Sequence, residues 1–208
     1  MKVRLLALAA AFVLTACGSA AGGRPGPSAL NDVSNSGPYD GVGLTPPLPR
    51  PQFTMTDTAG KPYSFSRQTA GRTTLLFFGY TRCADVCPQT MADIGVALRE
   101  LPVAVQRATT VVFVSTDVKH DTAPVIRTWL AKFTPGTHAS FVGLRGTQAQ
   151  VDAAQSASHV MIAEDGGQTH SSQVMLYSPD DYAHVSFLYN GKNEATQMAH
   201  DLRLVANG

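Results

Sequence analysis

The sequence predicts an α/β sandwich in which a central mixed β-sheet is flanked by helices and preceded by an N-terminal β-hairpin. Three observations predict it. Two short apolar runs, Thr73 to Phe78 and Thr110 to Thr116, read as buried strands. Helical spacing follows each of them, first at Met91, Ile94, Leu98 and Leu101 and then from Asp121 or Thr122 to about Phe133. Two further strand-like segments flank the turn SPDD (residues 178–181) and are followed by a last helix. Strand, helix, strand, helix, hairpin, helix is the order of parallel strands closed by an antiparallel pair.

Taken in order, Gln52 to Asp57 and Pro62 to Phe65 alternate around Ala59 and Gly60 as a hairpin would. The strand at Thr73 stops at Gly79, and the helix after it stops at Pro102, which cannot continue a helix. Asp121 or Thr122 is placed to cap the next helix, with Pro124 tolerated in its first turn. Phe141 and Val142 suggest a short strand, and Thr147 with Gln150 makes a capping box for a helix to about Ser158. His159 to Ala163 reads as another short strand, Glu164 to Thr169 as a polar turn, and His170 to Ser178 as a loop entering a strand. His184 to Tyr189 is its hairpin partner, and Asn193 can cap a final helix ending near Asn207.

With 208 residues, 44% hydrophobic and 15% charged, the chain can bury one substantial core, assigned to residues 51–208. Residues 1–16, MKVRLLALAAAFVLTA, have a basic start and an apolar run too short to span a bilayer comfortably, the pattern of an export signal. The run ends Leu14, Thr15, Ala16, Cys17, which resembles the lipobox of bacterial lipoproteins. That resemblance implies lipid modification of Cys17 and anchoring at a membrane surface; ordinary signal cleavage nearby is the alternative. Residues 17–50 are rich in Gly, Pro, Ser and Asn and read as a flexible linker. Without Lys2 and Arg4 the chain carries 14 basic against 15 acidic residues, a balance that excludes nucleic acid as a partner class.

The chemistry concentrates in FFGYTRCADVCPQT, residues 77–90. Cys83 and Cys87 are four apart at the junction of strand and helix, so their sulfurs fall on one side and can converge. The unpaired N–H groups of a helix N-terminus favour the thiolate, which is both nucleophile and metal ligand. A structural disulfide or two inert core cysteines would be the plainer reading of the same pair. In a sheet of this kind a ligand site lies at the carboxyl ends of the strands, where this loop must sit.

The element order is that of thioredoxin, and the chain resembles the Sco/SenC family of thioredoxin-like copper chaperones for cytochrome c oxidase assembly. FFGYTRCADVCPQT resembles the family's FxGYTxCPDxCP, VFVSTDVKHDT (residues 112–122) its VSVDPxRDT, and His170 with Ser171 its DHS before a strand. The resemblance implies copper, as Cu(I) or Cu(II) and one per monomer, held by Cys83, Cys87 and His170. Two soft sulfurs and an imidazole suit both oxidation states. Asp85, Asp117 and Tyr80 are candidates for the surrounding shell, although an Asp at a helix start or strand end also serves as a cap or turn former. The remaining histidines, His120, His138, His159, His184 and His200, read as surface or incidental. Three positions depart from the family pattern: Ala84 and Val118 replace prolines, and Thr169 replaces the Asp before the histidine.

The implied function is that of an exported, membrane-anchored metallochaperone of the bacterial cell envelope, acting as a monomer. It would deliver copper to the copper A centre of cytochrome c oxidase, or exchange it with another periplasmic copper chaperone. Cys83 and Cys87 as a redox dithiol would also allow reduction of the recipient's cysteines. The competing classes are a thiol:disulfide oxidoreductase or redox sensor of the same fold without physiological copper, and a copper-storage protein. Three residues between the cysteines, where dedicated oxidoreductases favour two, and the presence of His170 weigh toward the metal.

Overall fold

The computed structural model describes residues 37–189 and 194–206. Eight strands form one sheet: β1 (Val42–Pro49), β2 (Thr54–Asp57), β3 (Pro62–Ser64), β4 (Thr73–Gly79), β5 (Thr109–Ser115), β6 (Ser140–Arg145), β7 (Gln173–Tyr177) and β8 (Tyr182–Leu188). Their spatial order is β1-β8-β7-β4-β5-β6-β2-β3. β4, β5 and β6 are parallel, and every other pairing is antiparallel. Among the described residues the α-helices are α1 (Phe65–Gln68), α2 (Val86–Arg99), α3 (Val103–Ala108), α4 (Ala123–Leu130), α5 (Gln148–Ala157) and α6 (Glu194–Ala206).

Every residue of β4 and β5 is buried, so the two-residue alternation of a strand divides their side chains between two cores. Leu75, Phe77, Val111 and Phe113 face Met91, Ile94 and Leu98 of α2, Ile126 and Leu130 of α4, and Met198 and Leu202 of α6. Leu76, Phe78, Val112 and Val114 face the opposite way, onto Phe65 of α1 and Val151 and Ala154 of α5. This three-layer arrangement is the mixed sheet flanked by helices that the sequence predicts, with β2 and β3 as the hairpin. The capping box is present, Thr147 Oγ1 accepting from Gln150 N–H while the Gln150 side chain accepts from Thr147 N–H.

Four expectations need correction. The linker does not extend to residue 50: Val42–Pro49 is an edge strand paired with β8, and Arg50 is buried. The Arg50 guanidinium donates to Asp181 Oδ1, Thr69 Oγ1 and the carbonyls of Arg72 and Ser178, with Phe65 and Tyr177 rings beside it. Low apolar content hid this strand, which is held by backbone pairing with β8 and followed at once by the polar clasp of Arg50. Asp121 does not cap α4; Thr122 occupies the cap position without a side-chain hydrogen bond, and Asp121 turns inward. His159 to Ala163 is not a strand, since Met161 and Ile162 are exposed and only Glu164 and Thr169 form a bridge. The short helices α1 and α3 were not expected, each being under two turns and too brief to show periodicity. Cys17 and Asn193, like the export signal, lie outside the described residues.

Candidate metal centre

β4 and β5 run parallel with Gly79 opposite Ser115, so the loops leaving both strands emerge at the same rim. β7 runs antiparallel to β4, with Val174 opposite Phe77, which brings the chain entering β7 to that rim as well. Cys83 lies in the loop after β4, Cys87 in the first turn of α2, and His170 just ahead of β7. The topology therefore gathers all three. Their ligand atoms lie within 4.8 Å of one another, and Cys87 Sγ is 3.3 Å from His170 Nε2.

Cys83 is half-buried and Cys87 fully buried, and both are free thiols. Burial pushes the Cys83 thiol up, but the backbone N–H groups of Cys87 and Asp85, with hydrogen bonds from the Cys87 and Tyr80 side chains, outweigh it and hold it below the ordinary thiol value. Burial, reinforced by Cys83, drives the Cys87 thiol strongly upward despite the Tyr80 backbone contact. Gly79 makes room for this sulfur. A Cβ there would stand 3.0 Å from both Cys87 Sγ and the Phe77 ring.

His170 is oriented rather than loose. Its Nδ1 donates to the Ser171 carbonyl at 2.8 Å, which leaves the Nε2 lone pair on the side of the sulfurs. Tyr80 meets the imidazole edge-on, with centroids 5.4 Å apart, and Phe77 does so at 6.3 Å. Burial lowers its basicity, opposed by the Ser171 contact. The preceding turn is held against β5: Thr116 Oγ1 donates to the Gly167 carbonyl at 2.6 Å, and Gly167 adopts φ +94° with Thr116 O where a Cβ would be, only 1.9 Å away. No residue but glycine fits there.

Of the proposed surrounding residues, Tyr80 touches the site directly through the His170 ring, and its side chain helps to hold the Cys83 thiol below the ordinary value. Asp85 contributes its backbone N–H; its carboxylate is exposed and makes no cap hydrogen bond. Asp117, 2% exposed, sits one step removed, accepting from Arg82 at 2.7 Å and contacting His120 Nδ1 at 2.8 Å. His120 lies at the surface, as expected, and joins an Arg82–Asp117–His120 cluster next to Cys83 in the chain. His184 and His200 likewise have partners, Asp180 and Asp201 respectively. Thr169 is exposed and donates to Asp165, so its hydroxyl braces the turn rather than the site.

One residue was missed. The Asp121 carboxylate, 1% exposed, accepts from Thr81 N–H at 3.0 Å, Thr81 Oγ1 at 2.5 Å and Ser115 Oγ at 2.7 Å, pinning the start of the cysteine loop to the end of β5. The sequence signal that could have found it is the pair Thr81 and Ser115, two hydroxyls at the ends of adjacent buried strands.

A mixed sheet carrying a dithiol and an imidazole at one rim defines the class: a thioredoxin-like domain whose site suits a soft metal or thiol exchange. The SCO1/SenC family model matches residues 45–207, and the chain belongs to that family. Among curated relatives, protein SenC of Rhodobacter capsulatus is 32% identical over 133 residues, covering 61% of this chain and 58% of SenC. The chain spans between 31% and 68% of the length of such relatives. Copper-bound ScoI of Bradyrhizobium japonicum superposes with TM-score 0.58 at 26% identity, covering 76% of this chain and 99% of ScoI. Apo Sco1 of Thermus thermophilus superposes with TM-score 0.66 at 27% identity, covering 82% and 99%.

Proposed function

We propose that this protein is a copper metallochaperone that carries one copper ion between Cys83, Cys87 and His170 and passes it by ligand exchange to the copper A centre of cytochrome c oxidase. The observation that carries the reading is the convergence of two sulfurs and an available imidazole nitrogen within 4.8 Å. Donors at about 2.0–2.3 Å from a shared metal lie at most about 4.6 Å apart, so small side-chain adjustments complete the set. Membership of a family that includes copper-bound ScoI supports the choice of metal. As cargo, copper needs a site that both holds and releases it. Cys83 and His170 are half-buried and Cys87 is buried, so an incoming partner reaches the Cys83 sulfur before that of Cys87.

The export signal and lipid attachment at Cys17 complete the proposal: an envelope protein held at a membrane surface and meeting its partner there. Among the described residues no helix is long and apolar enough to cross a membrane. Mass spectrometry of the membrane fraction tests this through diacylglyceryl addition at Cys17.

The contrast between the two thiols favours a second activity at the same place. Cys83 as thiolate attacks one sulfur of a partner disulfide and releases the other as a thiol. Cys87 then attacks Cys83, forming the intramolecular disulfide and freeing the second partner thiol, so two electrons and two protons pass to the partner.

The deciding experiment is the absorption spectrum of the reduced protein titrated with Cu(II). A strong thiolate-to-copper charge-transfer band that saturates at one equivalent, and is lost in Cys87→Ser, is the expected result. Dithiol exchange without such a band would leave the oxidoreductase reading instead.

A further inference from the structure

A groove of about 410 Å³ runs beside the cysteine loop, lined by Thr81, Pro124, Val125, Thr128, Trp129 and Lys132. Trp129 is its rigid floor: the indole is 6% exposed and wedged between Phe113 and Phe133, with ring centroids 4.8 and 4.9 Å away. α4 forms one wall. It sends Ile126 and Leu130 into the core and turns Val125 outward, 40% exposed. Thr81, pinned by Asp121 and two residues from Cys83, closes the other side.

A lone exposed valine is unremarkable on a protein surface. A valine above a fixed indole, in a hollow that opens onto the cysteine loop, is the apolar anchor pocket of a docking site. Lys132 is the single charged lining residue; the neighbouring Arg82 is paired with Asp117, and the Asp121 carboxylate behind Thr81 is 1% exposed. No carboxylate lines it, so an acidic ligand meets attraction and a basic one repulsion.

We propose that this groove receives an extended segment of the protein that takes the metal, with an apolar side chain over Val125 and Trp129 and a carboxylate at Lys132. Val125 and Lys132, the latter two residues past the end of α4, are seven positions apart, about 10 Å at helical rise. Three residues of extended chain in the polyproline II form, with about 3.1 Å rise and three residues per turn, cover that distance and bring positions i and i+3 to one face, which sets the spacing between apolar and acidic side chains in the ligand. Docked so, the partner's adjoining loop lies against Cys83, the more exposed sulfur. The identity of the partner rests on the copper reading; the groove and its ligand chemistry do not.

Trp129 is the one tryptophan in the chain, so groove occupancy can be read from intrinsic fluorescence. The metal-free full chain is titrated with the capped peptide Ac-Ser-Leu-Val-Ser-Glu-Ser-NH2 and with its Glu-to-Lys counterpart. A saturable emission shift is expected with the first, at least fivefold weaker with the second, and abolished in Val125→Arg. Absence of a saturable shift, or equal response to both peptides, overturns the inference whatever copper does. In parallel, the copper-loaded protein is mixed with a metal-free soluble copper A domain. Val125→Arg should slow transfer at least tenfold and Lys132→Glu several-fold with loss of its salt dependence. Charge-transfer band and transfer to a small chelator should stay at wild-type level. An equal fall toward the chelator would assign the effect to the metal centre and sink the groove. A change of oligomeric state by light scattering in Val125→Arg would make a second copy the occupant and equally overturn the proposal. A wild-type protein that takes up no copper yet binds the peptide would remove the chaperone reading and leave the groove standing.

Discussion

Cys87 Sγ and His170 Nε2 stand 3.3 Å apart although 83 residues separate them in the chain. Neither side chain makes this approach on its own. The sulfur is fixed by the first turn of α2 over Gly79, and the imidazole by Ser171 behind it and Tyr80 at its edge.

From that pairing follows the effect of His170→Ala. Removing one of three donors should lower Cu(II) affinity by more than about 100-fold, beyond the 10–100-fold typical of outer groups. Competition with a calibrated chelator measures it. Wild-type affinity in the variant would remove the imidazole from the centre.

The two thiols should react in order. Because Cys83 is held below and Cys87 well above the ordinary thiol value, iodoacetamide should label Cys83 first in the reduced metal-free protein. Only the thiolate reacts, so the Cys83 rate should climb as pH rises through a midpoint below 9.0, the unperturbed thiol value, while Cys87 stays protected. Peptide mapping of the alkylated protein, pH by pH, is the check; simultaneous labelling would contradict the assigned order.

Asp121→Ala strands the Thr81 N–H and hydroxyl and the Ser115 hydroxyl at once. Loss of hydrogen bonds to a buried charged acceptor costs about 1.5–3 kcal/mol. Urea unfolding should register that loss, and copper affinity should fall too, because the cysteine loop loses its anchor. Unchanged stability would mean that the carboxylate repays no more than its own desolvation.

Thr90 offers the opposite case. Its hydroxyl is buried and unpartnered among the described residues, in a cleft shared with Val174, Phe187 and Met198. Thr90→Val keeps the shape and removes the stranded oxygen, so stability should rise by about 1 kcal/mol. Thermal melting of the metal-free protein tests it, with a lower melting temperature as the contrary result.

His170 also gives folding a pH dependence. Its folded value is depressed by burial, so between that value and 6.5 the unfolded chain binds more protons. Stability of the metal-free protein should therefore decline as pH drops through 6.5 and below, and His170→Gln should flatten that decline in urea titrations.

The fold was legible where burial is two-sided. β4 and β5 announce themselves as apolar runs, and α2 shows its buried face at Met91, Ile94 and Leu98. The cysteine pair and His170 were legible through their resemblance to a known pattern, and the strand order explains how they meet. What escaped was structure held by polar and backbone bonds. β1 contains little that hydropathy can register, yet Asp201 clasps the N–H groups of Asp40 and Gly41 just ahead of it. Asp121 looked like a cap because a short polar residue before a helix serves either purpose, and only the neighbouring hydroxyls decide which.

Three of the eight residues of β1 are prolines, Pro46, Pro47 and Pro49, and the opposite outermost strand, β3, begins with Pro62. Proline has no N–H to offer, so both margins of the sheet are poor templates for annealing another chain's strand. Recognition is thereby steered away from strand addition and toward the strand-end face, where a visiting protein meets side chains and loops instead of an open ladder.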